Sequence, residues 1–187
     1  MISNKKNGII TFEELCDLSL RKSIPEVPGF YKVFMPENFE MIIAEKSRAN
    51  IKCYRNNEQM KKTYLESLWS DLQKYNAQKD RILYIGKGIN LRNRLKSYMR
   101  VMFKNATNHS GGVYVCQIEN CNQLKEEWSI HESENVNILL DTPKDKRKQG
   151  SEIYNKVNSE LLSCEHLMIQ EYRNNHGGLF PFANRKQ

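Results

Sequence analysis

RILYIGKGINLRNRLKSYMR, residues 81–100, decides the fold, because it joins an apolar segment to a basic one through Gly-Lys-Gly. The first part, RILYIG (81–86), predicts a strand that ends at its glycine. Asn90 is a residue type that caps helices, and it predicts a helix directly after it. One stripe of that helix is apolar and should pack against the sheet. The stripe consists of Leu91, Leu95, Tyr98 and Met102.

The positive charge of the chain is concentrated in the same region. The 187 residues carry a net charge of +7, and residues 81–117 contain basic side chains but no acidic one. The basic residues are Arg81, Lys87, Arg92, Arg94, Lys96, Arg100 and Lys104. Solvated helices normally mix both signs, so a cluster without acids favours binding of a polyanion such as nucleic acid.

The cations of the basic helix fall into two groups. Arg94 lies at the edge of the apolar stripe, one turn from Tyr98, so both should border the sheet and any cleft that it forms. Whether Tyr98 is only a core residue, with Arg94 reaching past it to solvent, stays open at this point. A second group points away from the stripe and suits contacts with a long DNA backbone. Its members are Arg92, Lys96, Arg100 and Lys104.

A carboxylate interrupts the apolar face of the last predicted helix. Glu165 has Leu161, Leu162, Met168, Ile169 and Tyr172 as its neighbours on that face. A buried carboxylate costs several kcal/mol unless it meets a cation or strong donors. It is therefore a structural salt bridge, a metal ligand or a tuned acid-base group, and its position alone does not decide between these.

Periodicity and turn residues predict the remaining elements. Helices are predicted at 10–22, with Thr11 and Glu14 in a capping box, at 56–78 and at 152–174. Strands are predicted at 27–35, which pairs with 39–45, and at 111–119, which pairs with 126–132. The loop 143–150 is basic, and its Lys144, Lys146, Arg147 and Lys148 either contact phosphate or are simply solvated.

Composition narrows the class of protein. A hydrophobic content of 39% and a charged content of 27% fit one folded domain spanning residues 1–187. The N-terminal MISNKKNGII lacks the apolar core of a signal peptide, and no apolar run reaches membrane-spanning length, so we expect a cytoplasmic protein without a membrane partner. The spacing of Cys116, Cys121, Cys164 and His166 suits zinc poorly, which favours free thiols.

A set of short motifs resembles the GIY-YIG nuclease superfamily. The elements GFY (29–31) and YIG (84–86) are followed by Arg94, Glu165 and Asn184 in the order typical of that family. The stretch 84–100 is similar to the GIY-YIG domain of the bacterial excision-repair incision nuclease. NHSGG (108–112) and PFANR (181–185) resemble segments of restriction-type members. The resemblance implies an α/β fold of the α+β type, with a small, mainly antiparallel three-stranded sheet flanked by helices and an insertion at about 36–80.

The resemblance also implies a role for each site residue. Glu165 would hold one divalent ion, Mg²⁺ or Mn²⁺, Arg94 would neutralise the phosphate, and Tyr31 would be the general base. Tyr84 and Tyr98 would position water and phosphate, and Lys87 would contact phosphate. His109 would assist proton transfer unless it is an ordinary surface histidine. Asn184 would tie the C-terminal tail into the site, with Asn174 and Asn175 as weaker candidates.

The implied function is hydrolysis of phosphodiester bonds in double-stranded DNA by a metal-dependent endonuclease, of a restriction-type or mobile-element kind. A homodimer or sequential nicking would cut both strands. The alternative is a nucleic-acid-binding protein that keeps the scaffold without turnover. Glu165 favours catalysis, because binding alone needs no carboxylate on an apolar face.

Overall fold

A computed structural model of the chain describes residues 6–44, 63, 66, 67, 81–104 and 109–184, with the backbone alone at 102, 104 and 110. Four strands form one antiparallel sheet in the order β1-β4-β2-β3. They are β1 (Asn7–Thr11), β2 (Gly29–Phe34), β3 (Ile82–Gly88) and β4 (Lys125–Ile130). The helices are α1 (Leu18–Lys22), α2 (Leu91–Lys104), α3 (Ser110–Val115), α4 (Glu134–Asp141) and α5 (Glu152–Asn175), and residues 63, 66 and 67 are also helical.

The predicted α+β class is confirmed, but the sheet has four strands instead of three. The additional strand is β1, which pairs with β4 from Asn7 opposite Ser129 to Thr11 opposite Lys125. The sequence places Ile10 and Thr11 in a helix over 10–22, and this prediction is wrong for its first half. The capping box does form, since Glu14 N donates to Thr11 Oγ1 at 3.1 Å, but it opens only a 3₁₀ turn at Glu14–Cys16.

Residues 111–119 form helix α3 and a bridge, and the prediction of a strand there is wrong. His109 caps this helix, because its ring accepts the amide hydrogen of Gly112, and a local turn then replaces the extended chain. Past the helix, Ile118 makes an isolated bridge with Ile43. In the described part of the segment 39–45, which ends at residue 44, the chain therefore meets Ile118 and does not form a hairpin with β2. Strand β4, predicted over 126–132, pairs with β1 and β2 instead.

The two long helices agree with the sequence. The Oδ1 atom of Asn90 accepts from Asn93 N at 2.9 Å and so caps α2, whose Leu91, Leu95 and Tyr98 are completely buried. Helix α5 begins and ends close to the predicted 152–174 and packs against β3. The loop 143–150 holds a short 3₁₀ turn, Lys144–Lys146. Apart from residues 63, 66 and 67, the predicted helix 56–78 lies outside the described residues.

The C-terminal tail covers the outer edge of β3. Ala183 N donates to Leu83 O at 2.8 Å, and the side chain of Asn184 bonds both backbone groups of Ile85, at 2.9 Å to its N–H and 2.8 Å to its carbonyl. An edge strand carries unpaired backbone groups, which the tail here satisfies. Within the described ranges, no helix is both long and apolar enough to cross a membrane.

Candidate active site

A cleft of about 610 Å³ opens between the end of β3, helix α5 and the C-terminal tail. Four of the residues expected at the site border it, and these are Tyr84, Arg94, Glu165 and Asn184. They come from β3, α2, α5 and the tail, so the fold unites positions that lie far apart in the chain. The exposed Asn174 and Asn175 lie at the end of α5 and do not border it, which leaves Asn184 in the predicted role of tying the tail to the site.

Among the described residues, Glu165 is the only carboxylate on the wall of this cleft. Its exposed fraction is 9%, and Leu161 and Ile169 on the same helix face are buried beside it. Burial raises its pKa above the usual value, while Lys87, Arg94 and His166 oppose that shift. Since the pKa stays raised despite these three neighbours, a further cation would stabilise the charged carboxylate.

Lys87 does not border the cleft, but it lies near Glu165 and connects β3 to α5. Its Nζ donates to Asn158 Oδ1 at 2.8 Å, and Asn158 lies two turns before Glu165 along the helix. Burial lowers the pKa of Lys87, and the charge of Glu165 partly restores it. The sequence does not indicate Asn158, because an asparagine in a helix carries no functional signal until its partner is known.

Arg94 forms the wall between α2 and the cleft and is half-buried. Burial alone would lower the pKa of Arg94, but its neighbours Tyr31 and Tyr84 raise it, so the guanidinium stays charged. Its Nε atom is buried and has no hydrogen-bond partner among the described residues. A planar cation with a free donor beside a buried carboxylate is a suitable binding group for a phosphate.

Four rings pack together behind the cleft. Tyr31 and Tyr84 have ring centroids 5.7 Å apart, and His109 lies 4.2 Å from the ring of Tyr98. Gly86 gives the tyrosines this space, since a Cβ there would lie 2.6 Å from Tyr31 Oη and 2.5 Å from a ring carbon of Tyr84. Of the four, only Tyr84 borders the cleft.

The hydrogen bonds of His109 fix the position of its proton. Nδ1 accepts from Gly112 N at 3.1 Å, so it carries no hydrogen, and burial together with Arg94 holds the pKa of the ring well below 6.5. A neutral ring must then carry its hydrogen on Nε2, which lies 2.6 Å from Tyr31 Oη. His109 therefore donates to Tyr31, and the surface location that the sequence left open for this histidine is wrong.

Tyr31 and Tyr98 lie deeper than the sequence predicts. Tyr31 is 1% exposed and Tyr98 is fully buried, stacked on Phe12 at 5.2 Å between ring centroids. Burial raises the pKa of both hydroxyls well above 10, and it raises that of Tyr84 as well, against the opposing charge of Arg94. Tyr98 is thus a core residue, and Tyr31 acts on the cleft from behind, through its neighbours Tyr84 and Arg94.

The cations expected on the outer face of α2 divide into two kinds. Lys96 and Arg100 are exposed, as expected of DNA-contacting residues, whereas the side chain of Lys104 lies outside the described part of the structure. Arg92 turns inward to the segment after α1. Its guanidinium donates to Ile24 O at 2.7 Å, to Lys22 O at 2.8 Å and to Glu26 Oε1 at 2.7 Å.

Other residues on the cleft wall are absent from the sequence-based prediction. His166, Gln170 and Arg173 form a stripe of α5 beside Glu165, and Arg173 lies over the ring of Phe180 at 4.3 Å. Their spacing of i, i+4 and i+7 is the available signal. The sequence also does not indicate Glu126, which is buried on β4 and does not border the cleft, because the sequence of β4 has an ordinary alternating pattern.

The side chains of the cleft fit one magnesium-like ion whose remaining ligands would come partly from the substrate. No group of three His, Cys, Asp or Glu side chains suited to a metal occurs among the residues with described positions. Mg²⁺ commonly keeps several waters and binds through one or two carboxylates together with phosphate oxygens. Glu165, in an open cleft beside Arg94, matches that mode of binding.

The chain was compared with known proteins in three ways. No family model, no curated protein and no solved structure matches it. Its function must therefore be inferred from the residues of the cleft.

Proposed function

We propose that the chain is a divalent-metal-dependent DNA endonuclease of the GIY-YIG type. The observation that carries the proposal is the buried carboxylate of Glu165 in a cleft that it shares with Arg94 and Tyr84. A structural salt bridge explains Glu165 less well, since no ion pair joins it to a basic side chain within the described part of the chain and its pKa stays raised.

The phosphodiester substrate would bind through Arg94 and Lys87. Attack on a phosphodiester builds negative charge on the phosphate oxygens, and a preorganised guanidinium offsets this charge in a site of low dielectric. Arg94 has an unused buried donor for that purpose, and Lys87 is held beside the site by Asn158. The positive charge of both residues is in place before the substrate arrives.

Glu165 would hold the metal ion. A bound Mg²⁺ or Mn²⁺ acts as a Lewis acid that stabilises the leaving oxygen of a phosphodiester. The carboxylate would be the protein ligand of this ion, and the surrounding apolar side chains, Leu161 and Ile169, would hold the carboxylate in place. One carboxylate leaves the remaining coordination positions to water and phosphate oxygens.

The hydroxyl that meets the attacking water would be that of Tyr84. The sequence suggests Tyr31 for this task, but Tyr31 is 1% exposed and Tyr84 borders the cleft. Burial raises the pKa of Tyr84, and the charge of Arg94 opposes that rise, so Arg94 is the neighbour that would support its phenolate. Tyr31, which receives a hydrogen bond from His109, would position the Tyr84 ring from behind.

The proposal is tested with supercoiled plasmid and Mg²⁺, Mn²⁺ or EDTA, using the wild type, Glu165→Gln and Glu171→Gln. Glu171 is an exposed carboxylate on the same helix and serves as the control. We expect nicking or linearisation that needs metal and is lost only in Glu165→Gln, a fall of about 10²-fold or more. DNA fragments of discrete length would indicate sequence specificity.

Failure of the folded wild type to cut DNA that it still binds would favour the nucleic-acid-binding protein over the nuclease.

If the wild type cuts DNA, a matched comparison of the cleavage rates of Tyr84→Phe and Tyr31→Phe assigns the general base. The larger loss is expected for Tyr84→Phe, because Tyr84 borders the cleft and Tyr31 does not.

A further inference from the structure

A second cleft, of about 510 Å³, lies on the other side of Arg94. It is bounded by the start of α2, by α4, by the loop that follows α4 and by the start of α5. Arg94 belongs to the walls of both clefts, so the two cavities are neighbours. The volume lies within the range of about 300–1,000 Å³ that is typical of small-ligand sites.

The wall of this second cleft combines an apolar part with a basic part. Leu139, Leu140 and the ring of Tyr154 form the apolar part, and Lys144 and Arg147 lie at the basic part. Arg147 donates to the carbonyls of Leu140 and Thr142, which holds the loop against α4.

The charge of the second cleft is positive. Glu26 is the acidic residue of its wall, and this carboxylate is already paired with Arg92 at 2.7 Å. Neither Lys144 nor Arg147 has an ion pair with a carboxylate in the described ranges. Their charges are therefore available to an anionic ligand, and the charge of Arg94, which also belongs to the wall, adds to them.

We propose that the second cleft binds one deoxynucleotide of the DNA strand next to the phosphate held in the first cleft. The phosphate of this nucleotide would lie between Lys144 and Arg94, and its base would pack against Leu140 and Tyr154. Cations at one end and an aromatic face at the other are the two features by which proteins bind single nucleotides of DNA without reading sequence. The proposal takes DNA as ligand from the proposed function.

A base can enter this cleft only when it is unpaired. Bases inside a duplex are stacked, and a protein that binds one in a pocket must extrude it at a cost of a few kcal/mol, which is smallest for an unpaired base. The cleft therefore favours DNA in which the nucleotide next to the cut lies in a mismatch, a flap or a single-stranded segment.

The experiment is a titration of the full chain in EDTA with thymidine 5′-monophosphate, followed by NMR of methyl and aromatic groups. We expect saturable shifts at Leu139, Leu140 and Tyr154. We also expect about tenfold weaker binding in Lys144→Ala, the loss typical of one charged hydrogen bond. Thymidine and inorganic phosphate, each titrated alone, should bind more weakly than the nucleotide.

Two further variants test whether the side chains of the cleft wall hold the nucleotide. Lys146→Ala removes an exposed lysine of the same loop that does not border the cleft, and should leave binding unchanged. Tyr154→Leu keeps an apolar side chain but removes the aromatic face, and should weaken the nucleotide and not the phosphate.

The proposal is overturned if the nucleotide changes NMR signals only of residues in the first cleft. It is also overturned if inorganic phosphate alone binds as tightly as the nucleotide, or if the signal changes do not saturate by about 10 mM nucleotide. Nucleotide binding by Glu165→Gln distinguishes failure of this proposal from failure of the proposed function. That variant should still bind the nucleotide in the second cleft, whether or not the wild type cuts DNA.

Discussion

At the scale of single residues, the contact between His109 and Tyr31 joins the cap of α3 to the centre of the sheet. One ring nitrogen of His109 accepts a hydrogen bond from the Gly112 amide, and the other donates a hydrogen bond to the Tyr31 hydroxyl at 2.6 Å. A neighbouring donor favours the phenolate of Tyr31 and fixes where its oxygen lies. The same ring thus stabilises a helix start and orders the tyrosine behind the cleft.

Removing either partner of this contact should lower the cleavage rate, and removing both should lower the rate little further. His109→Phe keeps the aromatic packing but loses both nitrogens, and Tyr31→Phe loses the hydroxyl. We expect each single variant to cut roughly tenfold more slowly, the effect of one lost hydrogen bond, and the double variant to be far less impaired than the product of the two. Single-turnover cleavage rates measure this coupling.

A readout independent of cleavage is the ¹⁵N chemical shift of the His109 ring. It should show hydrogen on Nε2 in the wild type and in Tyr31→Phe, because the Gly112 amide alone determines which nitrogen accepts. Hydrogen on Nδ1, or losses that simply multiply in the double variant, would contradict the proposed coupling of His109 to Tyr31.

At the scale of elements, α2 uses its arginines for two different purposes. Arg100 is exposed and available to DNA phosphate, while Arg92 is bonded to two carbonyls and to Glu26 near the end of α1. We expect Arg100→Ala to weaken DNA binding and to reduce the slope of log affinity against log salt by about 1. Arg92→Ala should instead lower the free energy of unfolding by about 1–2 kcal/mol.

Fluorescence anisotropy with a labelled duplex at several salt concentrations measures the first effect, and urea unfolding measures the second. Lys96→Ala should behave like Arg100→Ala, since Lys96 is equally exposed on the outer side of α2. The opposite pattern, with Arg92→Ala changing the salt slope and Arg100→Ala changing stability, would refute this division.

The elements that the sequence predicts correctly are those whose own periodicity determines them. Helices α2 and α5 each carry an apolar face, which in α5 is interrupted only by Glu165. Strand β3 forms as predicted but ends at Gly88 and not at Gly86, because Gly88 still pairs with Gly29 of β2. The apolar and aromatic content of residues 111–119 predicts a strand. Their helix depends instead on His109 and on a close approach to Tyr84, since a Cβ at Gly111 would lie 2.3 Å from that ring.

The site follows the same rule. Glu165 and Arg94 are recognisable because charged side chains at an apolar face or its edge conflict with the local pattern. Asn158 and the depth of Tyr31 are not recognisable, because both depend on how α5 and α3 pack on the sheet. Local sequence carries no information about distances between elements that are remote along the chain.

At the scale of the whole molecule, two buried ionisable groups make stability depend on pH in opposite directions. Burial raises the pKa of Glu126 well above 4.5, and neither of its oxygens has a hydrogen-bond partner among the described residues. The pKa of His109 lies well below 6.5. The folded state therefore favours protonated Glu126 and neutral His109 more strongly than the unfolded chain does, in which both titrate near their usual values.

The sign of each effect follows from which state binds more protons. Below about pH 6.5 the unfolded chain protonates His109 and the folded state does not, so stability falls as the solution becomes more acidic. Above about pH 4.5 the unfolded chain loses the Glu126 proton and the folded state keeps it, so stability falls as pH rises. The slope for one such group is at most about 1.4 kcal/mol per pH unit.

Replacement of Glu126 by glutamine should therefore stabilise the protein increasingly with pH. Glutamine resembles the protonated carboxyl in shape and cannot ionise, so Glu126→Gln removes the loss on the alkaline side while His109 still acts on the acidic side. We expect the difference from the wild type to grow as the pH rises above about 4.5, by up to about 1.4 kcal/mol per pH unit until the folded carboxyl ionises, as measured by urea unfolding. Glu127→Gln, on the exposed face of the same strand, is the control and should give a curve parallel to the wild type. If Glu126→Gln also ran parallel, the carboxyl would be ionised in the folded state, and a cation or water that satisfies its oxygens would have to lie inside the sheet.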